Sequence, residues 1–136
     1  MRDTLHHIVL IDDNETTSFL NNRLLSRLGV ARQVSTFMRA DEALEAIWGQ
    51  PDGSPAPDLI FVDLKMPGLS GFDFLERYTS LPAEAQERTV VAVLTTSMHS
   101  ADTARVAKYP NVEYLTKPLT EEKMQRLLTK RFAAVK

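Results

Sequence analysis

Apolar runs that stop on acids, hydroxyls or turn formers divide this chain into short alternating blocks. His7-Ile8-Val9-Leu10-Ile11 ends on Asp12-Asp13, Leu59-Ile60-Phe61-Val62 on Asp63, and Thr89-Val90-Val91-Ala92-Val93-Leu94 on Thr95-Thr96-Ser97. A short continuous apolar run bounded by turn signals reads as a strand buried on both faces. Arg32 to Phe37 places Val34 and Phe37 among polar residues and predicts a shorter, more exposed strand. Val112 to Thr116 predicts a last one, followed by Lys117-Pro118.

Between the runs the period lengthens. Glu15 to Leu28 carries Phe19, Leu20, Leu24, Leu25 and Leu28 at helical spacing, with Asp13 or Asn14 as cap and Gly29 as stop. Asp41 to Trp48 predicts a second helix with Ala40, Ala43, Leu44, Ile47 and Trp48 on one face, the tryptophan read as a packing residue. Phe72, Phe74, Leu75 and Tyr78 predict a third, interrupted at Leu81-Pro82, with Glu84 to Arg88 as a connection. Ser100 is placed to cap a short fourth helix faced with Ala101, Ala104 and Ala107 and stopped by Tyr109-Pro110. An alanine face buries little area at about 25 cal/mol per Å2, so this helix is expected to be the least firmly anchored. Thr120 caps the last helix, with Glu121 and Glu122 in its first turn and Met124, Leu127 and Leu128 as its buried stripe. Gly49 to Pro57 is a Gly/Pro/Ser loop.

Five strands alternating with five helices require a parallel sheet with helices on both faces. Right-handed crossovers and one reversal of direction make it doubly wound. The 136 residues make one ordinary domain. A net charge of -2 argues against a general nucleic-acid binder. The basic residues near the C-terminus (Lys123, Arg126, Lys130, Arg131 and Lys136) read as a solvated helix face. With no cysteine there is no disulfide framework and no thiolate chemistry, which fits a reducing compartment. No stretch approaches the roughly 20 apolar residues of a membrane span, so a soluble cytoplasmic protein is expected.

In a parallel sheet the carboxyl ends of all strands share one edge. Asp12, Asp13, Asp63, Thr95 and Lys117 are therefore predicted to converge. Taken singly each has an ordinary reading: a helix cap, a turn acid, a strand-end hydroxyl bonded to backbone, a surface lysine. Their shared edge argues for a site. Three close carboxylates need a counter-charge. Mg2+ (or Mn2+) takes oxygen ligands, at about 2.1 Å for Mg2+, and suits carboxylates plus a phosphate oxygen. With two charges from the metal and one from Lys117 the formal total is zero, which lets a carboxylate meet an anionic phosphoryl group. An aspartate can then act as nucleophile and form an acyl phosphate, with Thr95 donating its hydroxyl to a phosphoryl oxygen. No HExxH, GxxxxGK[ST] or GxGxxG pattern occurs, so zinc and nucleotide binding have no support.

This set of residues resembles the receiver domain of two-component response regulators. It comprises Asp12-Asp13, the segment Asp63-Leu64-Lys65-Met66-Pro67-Gly68-Leu69-Ser70-Gly71, Leu94-Thr95-Thr96, Tyr114 and Lys117-Pro118. The resemblance runs from about His7 to about Phe132. It implies a flavodoxin-like sheet of order 2-1-3-4-5. Asp63 would be the phosphoacceptor. Asp13 and Asp63, with the backbone carbonyl of Lys65, would hold Mg2+, and Asp12 would act through a water of the ion. Lys117 would contact the phosphoryl group, and its bond to Pro118 would be cis. Thr95 and Tyr114 would form the switch pair, with Thr96 and Pro118 as neighbours of the phosphoryl pocket. The donor would be a phosphohistidine on a histidine kinase or histidine phosphotransfer protein. Nucleic acid and membrane partners are not implied; output would pass to a protein target, with phosphorylation-dependent dimerisation as one route. Lys108-Tyr109-Pro110-Asn111 departs from the Gly-Ala turn common before the last strand.

Only residues 118–136 follow Lys117, enough for one helix. The expectation is a stand-alone receiver over 1–136 with no output domain, catalysing only its own phosphorylation and dephosphorylation. Two alternatives are kept. One is an aspartyl-phosphate phosphatase or phosphotransferase of the haloacid dehalogenase kind, whose DxDxT pattern is replaced here by Asp12-Asp13-Asn14-Glu15-Thr16. The other is a phosphorylation-independent adaptor, against which the full set of acids, Thr95 and Lys117 argues.

Overall fold

The computed structural model describes residues 4–49, 56–66, 68–96 and 99–132. Its strands are β1 Leu5–Ile11, β2 Ala31–Phe37, β3 Leu59–Val62, β4 Val90–Thr95 and β5 Val112–Thr116. They form one parallel sheet of order β2-β1-β3-β4-β5, as expected. The helices are α1 Glu15–Leu28, α2 Ala40–Trp48, α3 Gly71–Thr79, α4 Ala83–Arg88, α5 Ser100–Val106 and α6 Glu121–Arg131. The Gly/Pro/Ser loop lies largely outside the described residues, as do Pro67, Ser97 and Lys136.

The two-residue period of a strand divides the central sheet between two cores. Ile8, Leu10, Leu59, Phe61, Ala92 and Leu94 pack with Leu25 of α1 and Met124, Leu127 and Leu128 of α6. Val9, Ile11, Ile60, Val62, Val91 and Val93 pack with Ala40, Ala43, Phe74, Leu75, Tyr78 and Val106 from α2, α3 and α5. Burial on both sides explains why these strands lack polar alternation. The edge strands β2 and β5 contain no fully buried residue. β2 has seven residues, as many as β1, so it is exposed but not short.

The helices depart from expectation where side chains other than large apolar ones take the inner positions. Phe19 and Leu20 are 63% and 53% exposed. Ser18 and Asn21 are the buried residues of this half of α1, with Leu25 below. Here the helix passes over the polar end of β1, where the Ser18 hydroxyl faces the Asp12 carbonyl at 3.5 Å. Glu84 to Arg88 is not a plain connection but part of α4, which buries no residue and so carries no apolar stripe in the sequence. Polar contacts hold it instead: the Tyr78 hydroxyl donates to Gln86 O at 2.8 Å, and the Gln86 amide donates to Thr79 O and Leu81 O.

Ser100 is the first residue of α5 and not its cap; His99 takes that place without a side-chain bond. Ala101, Ala104 and Ala107 are exposed, and Val106 is the buried residue. Side chains tie α5 and the turn after it to α3. Arg105 lies 3.9 Å over the Phe72 ring, and the Tyr109 hydroxyl donates to Glu76 Oε2 at 2.6 Å. Trp48 is half-buried at the end of α2, with its ring 5.7 Å from Phe74 and 6.0 Å from Tyr78, a packing residue as expected. Asn14 and Thr120 cap α1 and α6 through bonds from Thr17 N and Lys123 N.

Candidate functional site

Strand register brings the chemical groups to one level. Ile11 pairs with Val62, and Val62 with Val93, so the next residues, Asp12 and Asp63, stand side by side. Thr95 ends β4 opposite Thr116, and Lys117 follows. The ladder continues one residue past the strands. Asp12 N donates to Phe37 O at 3.0 Å, Asp63 N to Ile11 O at 3.0 Å and Lys117 N to Thr95 O at 2.9 Å. Each functional backbone is therefore held by the sheet itself.

The loop after Asp63 is closed by a glycine. Gly71 N donates to Leu64 O at 2.9 Å. A Cβ on Gly71 would lie 2.2 Å from Asp63 O and 2.6 Å from Leu64 Cα, so only a residue without a side chain allows this approach. Ser70 and Asp73 form a capping box that starts α3 at this point.

Lys117 links the two buried acids. Its Nζ donates to Asp12 Oδ2 at 2.6 Å and to Asp63 Oδ2 at 3.3 Å. The other oxygens accept backbone bonds: Asp12 Oδ1 from Asn14 N and Asp63 Oδ1 from Leu64 N, both at 2.8 Å. Asp12 and Asp63 are 5% and 9% exposed, whereas Asp13 is open to solvent. Burial pulls the Lys117 ammonium down. The hydrogen bond to Asp12 and the charges of Asp63 and Asp12 outweigh it, and the group titrates above an ordinary lysine.

Asp12, Asp13 and Asp63 each place one carboxylate oxygen within 4.8 Å of the others. Two oxygens on opposite sides of Mg2+ are about 4.2 Å apart, so small side-chain adjustments bring this trio into range. With Lys117 counted, the four groups carry a net charge of -2, which a divalent cation balances. The donor set suits a hard, oxygen-seeking ion.

Thr95 is buried at the end of β4, and Tyr114 is half-buried on β5 in register with Val93. Lys65, Thr96 and Pro118 are exposed, and the Lys117-Pro118 peptide is cis. Asp12, Asp63 and Lys117 are thus in direct contact, Asp13 joins them, and Thr95 lies on the same sheet edge. Asn21 also borders this edge and was missed. Its signal was present: Ser18, Asn21, Leu25 and Leu28 recur at helical spacing, but two of the four are polar.

A family model described as "Response regulator receiver domain" matches residues 8–129. A hybrid signal transduction histidine kinase D of Dictyostelium discoideum is 30% identical over 114 residues. That match covers 82% of this chain but only 7% of the much longer relative. The crystal structure of a response regulator receiver protein from Dyadobacter fermentans is 29% identical, with a TM-score of 0.80, covering 93% of this chain and 98% of that one. A phosphorylated cyanobacterial phytochrome response regulator is 25% identical, with a TM-score of 0.73, covering 92% and 89%.

Proposed function

The chain belongs to the response regulator receiver family, and on that premise we propose that Asp63 accepts a phosphoryl group from a phosphohistidine. The observation that carries this reading is the Lys117 ammonium bridging Asp12 and Asp63, with Asp13 in the same trio. A carboxylate oxygen of Asp63 attacks phosphorus, the P–N bond breaks, and the imidazole leaves with the electron pair and takes up a proton. The product is an acyl phosphate on a side chain whose backbone the sheet holds in place.

Asp13 and Asp63, with the Lys65 carbonyl, would hold Mg2+, and Asp12 would act through a water of the ion. The ion would neutralise charge on the phosphoryl oxygens. Lys117 donates to a phosphoryl oxygen from the side it already occupies. The Thr95 hydroxyl turns to the phosphoryl group, and the Tyr114 ring moves inward behind it. Thr96 and Pro118, both exposed, flank the approach.

Receiver domains partner with histidine kinases. On this chain, α1 starts two residues after Asp13, and Phe19 and Leu20 stand exposed on its first two turns. They offer the phosphodonor an apolar footing next to the acids. Output passes from the receiver by protein contact, and the receiver turns over no external substrate. Among the described residues no helix is long and apolar enough to cross a membrane.

Intact-mass analysis after incubation with Mg2+ and acetyl phosphate tests the reading. Wild type gains one phosphoryl group, and Asp63→Asn gains none. Labelling that persists in the variant removes Asp63 from the role.

A further inference from the structure

Asn21 is 8% exposed on the inner face of α1, and its carboxamide bonds to no other described residue. A primary amide carries two donors and an acceptor. Among the described residues the fully buried side-chain atom without a partner is Trp48 Nε1, so the Asn21 carboxamide keeps access to water, which is the partner left to it. Leucine at this position would continue the stripe of Leu25 and Leu28, so stability alone does not call for a polar residue.

The side chain borders a cavity of about 10 Å3. Its other polar walls are Asp12 and Asp63, over a floor of Leu10, Phe61 and Leu94. A single buried water needs roughly 10 to 15 Å3 and two to four polar partners. The cavity meets both conditions for one water. It also lies on the core side of the two acids, whereas Lys117, Asn14 N and Leu64 N hold them elsewhere.

We propose that Asn21 is a positioning residue which, through one internal water, holds the Asp12–Asp63 pair from the core side. The inference rests on the reading of these acids as a Mg2+ and phosphoryl site. Asn21 touches neither the ion nor the phosphoryl group. It fixes the orientation of the carboxylates that do, as outer partners of metal ligands do elsewhere.

Wild type, Asn21→Leu and Asn21→Ser are compared by calorimetric Mg2+ titration, urea unfolding and acetyl phosphate labelling. In wild type, a water-to-amide Overhauser effect is expected at the Asn21 carboxamide. Asn21→Leu unfolds at the same or higher urea concentration, yet binds Mg2+ about tenfold more weakly and labels more slowly. Asn21→Ser keeps a hydroxyl and leaves room for water, and returns Mg2+ affinity to within about twofold of wild type. A leucine variant that binds Mg2+ and labels like wild type overturns the inference. So do leucine and serine variants that weaken alike in step with lost stability. Wild type that neither binds Mg2+ nor takes up phosphoryl sinks the underlying reading and the inference with it.

Discussion

Replacing Lys117 by methionine keeps most of the side-chain volume and removes one charge. At an effective permittivity of about 20, a unit pair attracts by roughly 6 kcal/mol at 2.6 Å and roughly 5 kcal/mol at 3.3 Å, the two separations seen here. The cost of dehydrating the three groups offsets much of that attraction. Breaking a buried ion pair from one side costs about 3–5 kcal/mol, because the partner stays buried without its counter-charge. The Lys117 side chain is 13% exposed, so some water reaches the gap, and the expected loss falls to about 2–4 kcal/mol.

The assay is urea unfolding in chelator, followed by Trp48 fluorescence. Trp48 is the single tryptophan and packs on Phe74 and Tyr78, so its signal reports the core. Mg2+ then provides a second arm. At about 100 times its dissociation constant a ligand stabilises the fold by about 2.7 kcal/mol. At one free concentration it stabilises the methionine variant more than wild type, because the ion is then the only counter-charge. A loss below about 1 kcal/mol in chelator, or equal Mg2+ stabilisation of both proteins, refutes the electrostatic account.

Gly71→Ala places a methyl carbon against the Asp63 carbonyl, which is backbone and cannot swing aside. It is expected to destabilise by about 1–3 kcal/mol or more and to slow acetyl phosphate labelling; wild-type behaviour in both assays removes Gly71 from the account. Phe19→Ser with Leu20→Ser is expected to retain labelling by acetyl phosphate while transfer from a phosphohistidine protein falls about tenfold; equal transfer moves the donor footing elsewhere. At Glu113, burial raises the carboxyl pKa, but bonds from Lys130 and Arg131 overcome this and leave it below the ordinary 4.5. That contribution is fully present above the unfolded value and is lost as pH falls through the folded one. The stability of wild type over Glu113→Gln is expected to be constant down to about pH 5 and to shrink below it, as read by urea unfolding; a gap that widens on acidification contradicts the pairing.

The central strands were legible because burial on both faces leaves a continuous apolar run that few other structures produce. The end of each run also located the acids, since a parallel sheet aligns its carboxyl ends. The helices were read by the rule that large apolar residues face inward, and the rule broke where the interior is not apolar. Ser18 and Asn21 face the polar end of β1, so Phe19 and Leu20 were displaced to the surface. α4 stayed hidden because its hydrogen bonds come from Tyr78 and Gln86, pairings with no periodic signature. The alanines of α5 mimic an inner face, but Arg105 and Tyr109 do the holding from outside.

The attachments of α3 place the acid site and α5 in mechanical series. Its first residue, Gly71, rests on the Asp63 carbonyl; its second, Phe72, lies under Arg105; and Glu76 holds Tyr109 beyond the end of α5. A helix of nine residues is a stiff rod about 13 Å long. A push on the backbone at Asp63 would therefore reach α5 through Phe72 at the near end of the rod and Glu76 further along it. α5 is in this way tied to the acid by a linkage on the sheet face it shares with α3, a route that does not pass through Tyr114.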